Sequence, residues 1–169
     1  TPAPVNPPRL PANGPEDLGV DPGNYELDVV LVPIRWQNGG QVRTPNLSSA
    51  DIETVRRTIY VQNPVSSVNI SVRSQPVPFT GGADLSGILQ AVSQARSSDN
   101  VADSVYYEGI VDFGCFAVWN GQCSNGGGTT GLGYVASANS WAANQRASIS
   151  VWYQPQSSVA AKMDPAKPQ

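Results

Sequence analysis

One run of apolar residues limits the folds open to this chain more than any other feature. Val29–Ile34 reads Val-Val-Leu-Val-Pro-Ile, with no alternation of apolar and polar side chains. A strand that is apolar on both faces needs a covering layer on each of them, so it belongs in the middle of a sheet. We therefore predict a central strand over Leu27–Trp36. Because proline donates no ladder hydrogen bond, we expect the ladder to stop on one side at Pro33.

Two segments with the spacing of amphipathic helices alternate with the strands. The first spans Ser48–Val61, where a serine cap and Asp51 open the helix and the apolar residues fall on one face. The second begins at Asp84 and repeats apolar residues at i, i+3, i+4 and i+7 from Leu85. Further strands are predicted at Val68–Val72, Ser104–Phe113, Gly131–Ala136 and Ala147–Tyr153.

The resulting order, β-α-β-α-β-β-β, predicts an α/β fold. Alternating strands and helices favour parallel strands with right-handed crossovers. We expect a mixed, mainly parallel five-stranded sheet with two helices, in which one of the last two strands forms an antiparallel edge. This α/β domain is predicted to span residues 25–154. Seven prolines favour an extended arm or linker over residues 1–24, and residues 155–169 are assigned to a C-terminal tail.

The net charge of the chain argues against some classes of partner, and its cysteines indicate a cellular compartment. The net charge of −3 gives no electrostatic support for a nucleic-acid or acidic-membrane partner. No apolar run approaches the roughly 20 residues that a membrane helix needs. Cys115 and Cys123 flank a short loop in a lysine-poor chain, which predicts one local disulfide and a secreted or extracellular location. Two free thiols are the alternative.

The absence of histidine removes several kinds of catalytic site. A Ser-His-Asp or Cys-His arrangement is excluded, and two cysteines alone do not complete a metal site. Gly126, Gly128 and Gly131 match the dinucleotide fingerprint, but no strand directly precedes them and no helix follows. Asp112–Gly114 matches the metal-binding triplet of kinases without its companion motifs. No residue is nominated as catalytic.

Carboxylates and aromatic residues of the second half leave two interpretations open. Glu108 and Asp112 are read as solvated or capping carboxylates rather than as an acid–base pair. The aromatic residues are interpreted, with equal weight, either as a binding surface or as core or lid residues. They are Trp119, Tyr134, Trp141, Trp152 and Tyr153.

Five short stretches occur in an order that is found in a known group of enzymes. They are the strand at Asp28–Trp36, the Val-Tyr-Tyr-Glu-Gly-Ile-Val stretch at Val105–Val111, the cysteine loop, Gly-Leu-Gly-Tyr-Val at Gly131–Val135, and Arg-Ala-Ser-Ile at Arg146–Ile149. Their order and spacing resemble the secreted bacterial zinc metallopeptidases of the metzincin-like type. The resemblance covers Tyr25 to Tyr153 and implies the fold of the N-terminal subdomain of those enzymes.

The resemblance implies a binding edge and an incomplete catalytic site. In that family the glycine-containing strand holds the substrate backbone by β-augmentation, which points to Leu132, Gly133, Tyr134 and Val135 as the peptide-binding edge. The family then places a His-Glu-x-x-His helix, where this chain has Gln154–Met163 without any strong zinc ligand. We therefore expect no cofactor in this chain and no peptidase activity, unless another segment supplies zinc ligands.

The sequence and the resemblance leave three alternative functions open. The chain is the substrate-edge part of a divided or truncated peptidase whose zinc site lies on a second polypeptide, a non-catalytic peptide-binding module, or a self-assembling extracellular structural protein. The absent helix would cover one face of the sheet, so we expect another element to cover that apolar face. The candidates are the proline-rich arm, the segment Ser157–Met163, a second chain, or further copies of this chain.

Overall fold

The computed structural model describes residues 25–134 and 145–152 of the 169-residue chain. Two helices, α1 and α2, lie at Ser49–Gln62 and Leu85–Asp99. The first five strands are β1 at Glu26–Asn38, β2 at Gln41–Arg43, β3 at Ser67–Val72, β4 at Val77–Thr80 and β5 at Tyr106–Val111. The remaining strands are β6 at Ala117–Trp119, β7 at Gln122–Ser124, β8 at Gly131–Gly133 and β9 at Ala147–Val151.

Seven of these strands form one mixed sheet around β1. Along one edge β1 pairs in parallel with β3 and β4, and along the other it pairs in parallel with β5. β5 pairs in parallel with β9, while β2 and β8 are antiparallel to their neighbours. The predicted α/β class, with two helices and a mixed sheet, is confirmed. The predicted count of five strands is wrong for this sheet, because β2 and β4 were missed.

The partner of β1 changes at Pro33. β3 pairs with β1 as far as Leu31, and β4 begins at Ile34, so Pro33 has no partner on that side. The predicted stop in the ladder is therefore real, but the ladder resumes with β4. β4 was not predicted because proline is unfavourable within a strand and Pro78 lies in it. Pro78 is tolerated there because β4 has no further described strand beyond it.

Both helices begin where a side chain accepts a hydrogen bond from a free backbone amide. Ser48 and Asp51 form a capping box at α1, in which the Ser48 amide donates to the Asp51 carboxylate at 2.9 Å. The Asp84 carboxylate accepts from the amide of Gly87 at 3.0 Å at the start of α2. α2 then ends at Asn100 in the left-handed conformation, with φ of 50°.

The two helices cover opposite faces of the sheet, and alternate strand residues supply the two parts of the core. We call the faces the α1 face and the α2 face. The buried residues of the α2 face include Val32, Ile34, Trp36, Ile88, Leu89, Val92, Tyr107, Val111 and Ile149. On the α1 face the buried residues are Val29, Leu31, Val68 and Ile110, and Ile52, Val55, Ile59 and Trp152 are partly buried against them.

A disulfide-closed hairpin follows β5. Cys115 and Cys123 are bonded, with their Cα atoms 5.7 Å apart, which confirms the predicted local disulfide. β6 follows Cys115 and pairs in antiparallel with β7, which contains Cys123, and the two strands are joined by Asn120 and Gly121, both at positive φ. Cys115 is buried in the core of the α2 face, so the disulfide attaches the hairpin to that core.

Candidate functional site

The predicted peptide-binding strand lies at an edge of the sheet. β8 pairs with β9 so that Leu132 lies opposite Ile149. The backbone groups of Thr130 and Tyr134 bond to β9, since the Val151 amide donates to Thr130 at 2.8 Å and the Tyr134 amide donates to Ala147 at 3.3 Å. Leu132 has the same phase along the strand and therefore also bonds to β9.

The intervening glycines direct their backbone groups to the opposite side. Gly131 and Gly133 alternate with the residues that bond β9, so their amide and carbonyl groups point to the outer edge of β8. Within residues 25–134 and 145–152, no strand pairs with that outer edge. The amide and carbonyl groups of Gly131 and Gly133 are thus available to a polypeptide lying beside β8. Val135, the fourth predicted edge residue, lies outside the described residues.

The side chains of this edge differ between the two faces. Leu132 and Tyr134 are 37% and 42% exposed and alternate with the two glycines. A Cβ atom on Gly131 would lie 2.9 Å from the carbonyl oxygen of Ile149, so the close approach of β8 to β9 requires glycine here. The glycines also leave the α1 face of β8 free of side chains.

A groove of about 740 Å³ runs over the α1 face beside α1. Its floor comes from β1, β5 and β9, because α1 packs mainly against β3 and leaves the middle of the sheet face open. Apolar residues supply most of this surface. The lining residues include Leu27, Val29, Val55, Ile59, Tyr106, Glu108, Ile110, Ser148, Ser150 and Trp152.

Glu108 places a carboxylate in the floor of this groove. The hydroxyl of Ser150 donates to its Oε1 at 2.6 Å, and the hydroxyl of Ser148 donates to its Oε2. Burial raises the pKa of Glu108, and the two serine hydrogen bonds oppose that rise. The interpretation of Glu108 as a solvated or capping carboxylate is therefore wrong. The alternation of Ser148 and Ser150 in β9 is the sequence signal for this cluster.

Asp112 has separate partners from Glu108. Its carboxylate accepts from the Gly114 amide at 2.6 Å and from Arg43 at 3.4 Å, so it supports the turn after β5. The two carboxylates thus serve different local structures. Among the described residues, no group of three or more His, Cys, Asp or Glu side chains is placed to hold a metal ion.

The aromatic residues of the second half lie in different parts of the molecule. Trp119 is 65% exposed beside the turn of the disulfide-closed hairpin. Trp152 lines the groove, and its indole nitrogen is buried without a hydrogen-bond partner in the described structure. Tyr134 follows β8 at the sheet edge. Trp141 and Tyr153 lie outside the described residues.

Comparisons of the chain with protein-family models, with curated proteins and with solved structures find no match. In the part of the chain that the structure describes, no helix is both long and apolar enough to span a membrane. The geometry of the edge strand and of the groove is therefore what points to a function.

Proposed function

We propose that this chain is an extracellular metallopeptidase-like domain that binds an extended polypeptide along the outer edge of β8 and does not hydrolyse it unaided. The observation that carries the proposal is the outward orientation of the backbone groups of Gly131 and Gly133. An added strand would bond to these groups as a neighbour in a sheet does. Main-chain hydrogen bonds would supply the affinity with little dependence on the ligand sequence.

The two faces of β8 would contact alternate side chains of the ligand and select them differently. On the α2 face, Leu132 and Tyr134 offer partly exposed apolar surface to alternate residues of the ligand. On the α1 face, Gly131 and Gly133 leave space for the other set. This arrangement favours ligands with an apolar residue at every second position and tolerates larger residues between them.

The chemistry of the chain supports binding rather than hydrolysis. The chain has no histidine, and both of its cysteines are in the disulfide, so the usual nitrogen and sulfur ligands of zinc are absent from it. We propose that any hydrolysis of the bound polypeptide depends on zinc ligands from a second polypeptide. The same edge would serve a purely peptide-binding module equally well.

Replacement of Gly133 by proline tests the edge directly. Proline removes the outward amide, whereas alanine keeps it and places a Cβ 3.4 Å from the Cβ of Ser148. The probe is a fluorescein-labelled, lysine-capped peptide of alternating valine and threonine, followed by fluorescence anisotropy. We expect Gly133→Pro to weaken binding about tenfold or more, as the loss of a backbone hydrogen bond and a steric clash would require. Gly133→Ala should bind within a few-fold of the parent.

Three further measurements define the outcome. The same peptide with proline at alternate positions should not bind, and the peptide should be recovered intact after incubation with zinc. Equal binding by Gly133→Pro and Gly133→Ala would rule out the edge as the site. Sedimentation without peptide checks the third function, because a concentration-dependent assembly that Gly133→Pro abolishes would assign the edge to self-association.

A further inference from the structure

The exposed side of α2 lies beside the edge strand β8. A second groove, of about 570 Å³, lies between them, and Tyr134 lines it from the side of β8. Leu132 lies opposite Ile149, a buried residue of the α2 face. Tyr134 is two residues further along and therefore points to the same face. The residues of α2 that line the groove are Gln90, Ser93, Gln94, Ser97 and Ser98.

The side of α2 that faces this groove carries hydrogen-bonding groups without charge. Among the described residues, every side chain that lines the groove is an amide, a hydroxyl or a phenol. Gln90 and Gln94 are exposed and one helical turn apart, and neither side chain forms a hydrogen bond with another described residue. The exposed side of a helix is ordinarily rich in charged residues, so this composition is unusual.

The two charged residues of α2 have partners elsewhere in the fold. The Arg96 guanidinium is buried and donates to the carbonyl oxygen of Val105 at 3.0 Å. The Asp99 carboxylate accepts from Arg73 at 2.8 Å and from the Tyr107 hydroxyl at 2.9 Å. A ligand in the groove would therefore meet only neutral donors and acceptors from this helix.

We propose that Gln90 and Gln94 select the ligand residue that lies beside Tyr134, and that they favour an uncharged hydrogen-bonding side chain, glutamine above all. This inference rests on the proposed binding of an extended polypeptide along β8. A strand added there continues the sheet, so alternate side chains of the ligand project to the α2 face and into the groove. Glutamine fits because its methylene groups pack on an aromatic ring while its amide both donates and accepts hydrogen bonds.

The same groove would discriminate against charged ligand residues. A carboxylate or ammonium group that enters it loses part of its hydration, and neutral amides supply no opposite charge to offset the loss. An aliphatic residue avoids that loss but makes no hydrogen bond with Gln90 or Gln94. Leu132 does not line the groove, so the ligand position beside it remains apolar. Successive ligand positions on the α2 face would thus differ in preference.

Exchange of charge between the helix and the ligand tests this contact. The probe is the labelled peptide of alternating valine and threonine, with its central valine replaced by glutamine, glutamate or lysine, and fluorescence anisotropy measures its affinity. The parent should bind the glutamine peptide about threefold or more tightly than either charged peptide, the scale of one hydrogen bond. Gln94→Lys should improve binding of the glutamate peptide relative to the lysine peptide by about fivefold, and Gln94→Glu should do the reverse, as exposed ion pairs require.

Gln62 is the matched control, because it is an exposed glutamine of α1, on the opposite face of the sheet. Gln62→Lys makes the same change in net charge and should alter the relative binding of the charged peptides by about twofold or less, since salt screens distant charges. Equal shifts for Gln62→Lys and Gln94→Lys, or a parent without preference for the glutamine peptide, would overturn selection by α2 even where Gly133→Pro still weakens binding. Equal binding by Gly133→Pro and the parent would instead remove the edge itself as the site, and this inference with it.

Discussion

The two faces of the sheet are made from alternate residues of the same strands, yet their packing differs. On the α2 face, Ile88 and Val92 of the helix are completely buried against β1, β5 and β9. On the α1 face, the helix has no buried residue, and a groove lies beside it with Glu108 and the buried Ile110 in its floor. The same backbone thus presents one closed core and one open groove.

The alternation within β5 and β9 accounts for the difference. In β9, Ala147 and Ile149 point to the α2 face and are buried, while Ser148 and Ser150 point to the α1 face and bond Glu108. Apolar residues on one face contribute most of the stability, because buried apolar area is the main favourable term in folding. The polar residues of the α1 face, Glu108, Ser148 and Ser150, form a hydrogen-bonded cluster in the floor of the groove.

The largest expected effect compares one isoleucine from each helix. Ile88→Ala removes a fully buried side chain from the α2 face and should lower the free energy of unfolding by about 2–5 kcal/mol. Ile59→Ala makes the same chemical change beside the groove, where the side chain is only partly buried, and should cost about 1 kcal/mol. Urea denaturation of the two variants measures both. Equal losses would show that the α1 face is as tightly packed as the α2 face.

A smaller effect is expected from filling space on the α2 face. A Cβ atom on Gly109 would lie 2.6 Å from Cγ2 of Val92 and 3.4 Å from the carbonyl oxygen of Ser148. Gly109→Ala should therefore cost about 1–3 kcal/mol by overpacking. Gly126→Ala is the control, because its new Cβ would meet nothing within 4 Å and should change stability by about 0.5 kcal/mol or less. A neutral Gly109→Ala would mean that the α2 face can relax.

Local patterns were sufficient to predict most of the elements. The helices, β1 and β5 followed from periodicity and capping residues, and the Cys115–Cys123 disulfide followed from spacing and composition. β4 was missed because Pro78 is an unfavourable strand residue unless the strand lies at an edge. Edge position is a property of the assembled sheet, and a local pattern does not contain it.

The candidate site was predictable only in part for the same reason. The resemblance to zinc metallopeptidases implied Leu132, Gly133, Tyr134 and Val135 as an edge, and β8 lies at an edge of the described sheet. The sequence did not indicate that Glu108 meets Ser148 and Ser150, because that contact depends on the register of two strands 40 residues apart in the chain. An acid within an apolar strand and the alternating serines of β9 were the local signs of this cluster.

The smallest expected effect is the pH dependence of stability that Glu108 produces. Folding raises the pKa of Glu108 above its ordinary value of 4.5, chiefly through burial. Its contribution to stability is therefore complete below pH 4.5 and is lost as the pH rises through the folded-state pKa. Glu108→Gln should gain in stability relative to the parent from pH 4 to pH 7, as measured by urea denaturation across that range.

Asp99 on the α2 face gives the opposite sign and serves as the control. The Arg73 guanidinium donates to this carboxylate at 2.8 Å and holds the pKa of Asp99 below its ordinary value of 3.8. Its stabilising contribution is present above pH 3.8 and is lost as the pH falls through the folded-state pKa. Asp99→Asn should therefore fall further behind the parent as the pH rises from about 2 to 5. Trends of the same sign for Glu108→Gln and Asp99→Asn would contradict the contrast between a carboxylate whose pKa is raised by burial and one whose pKa is lowered by a guanidinium.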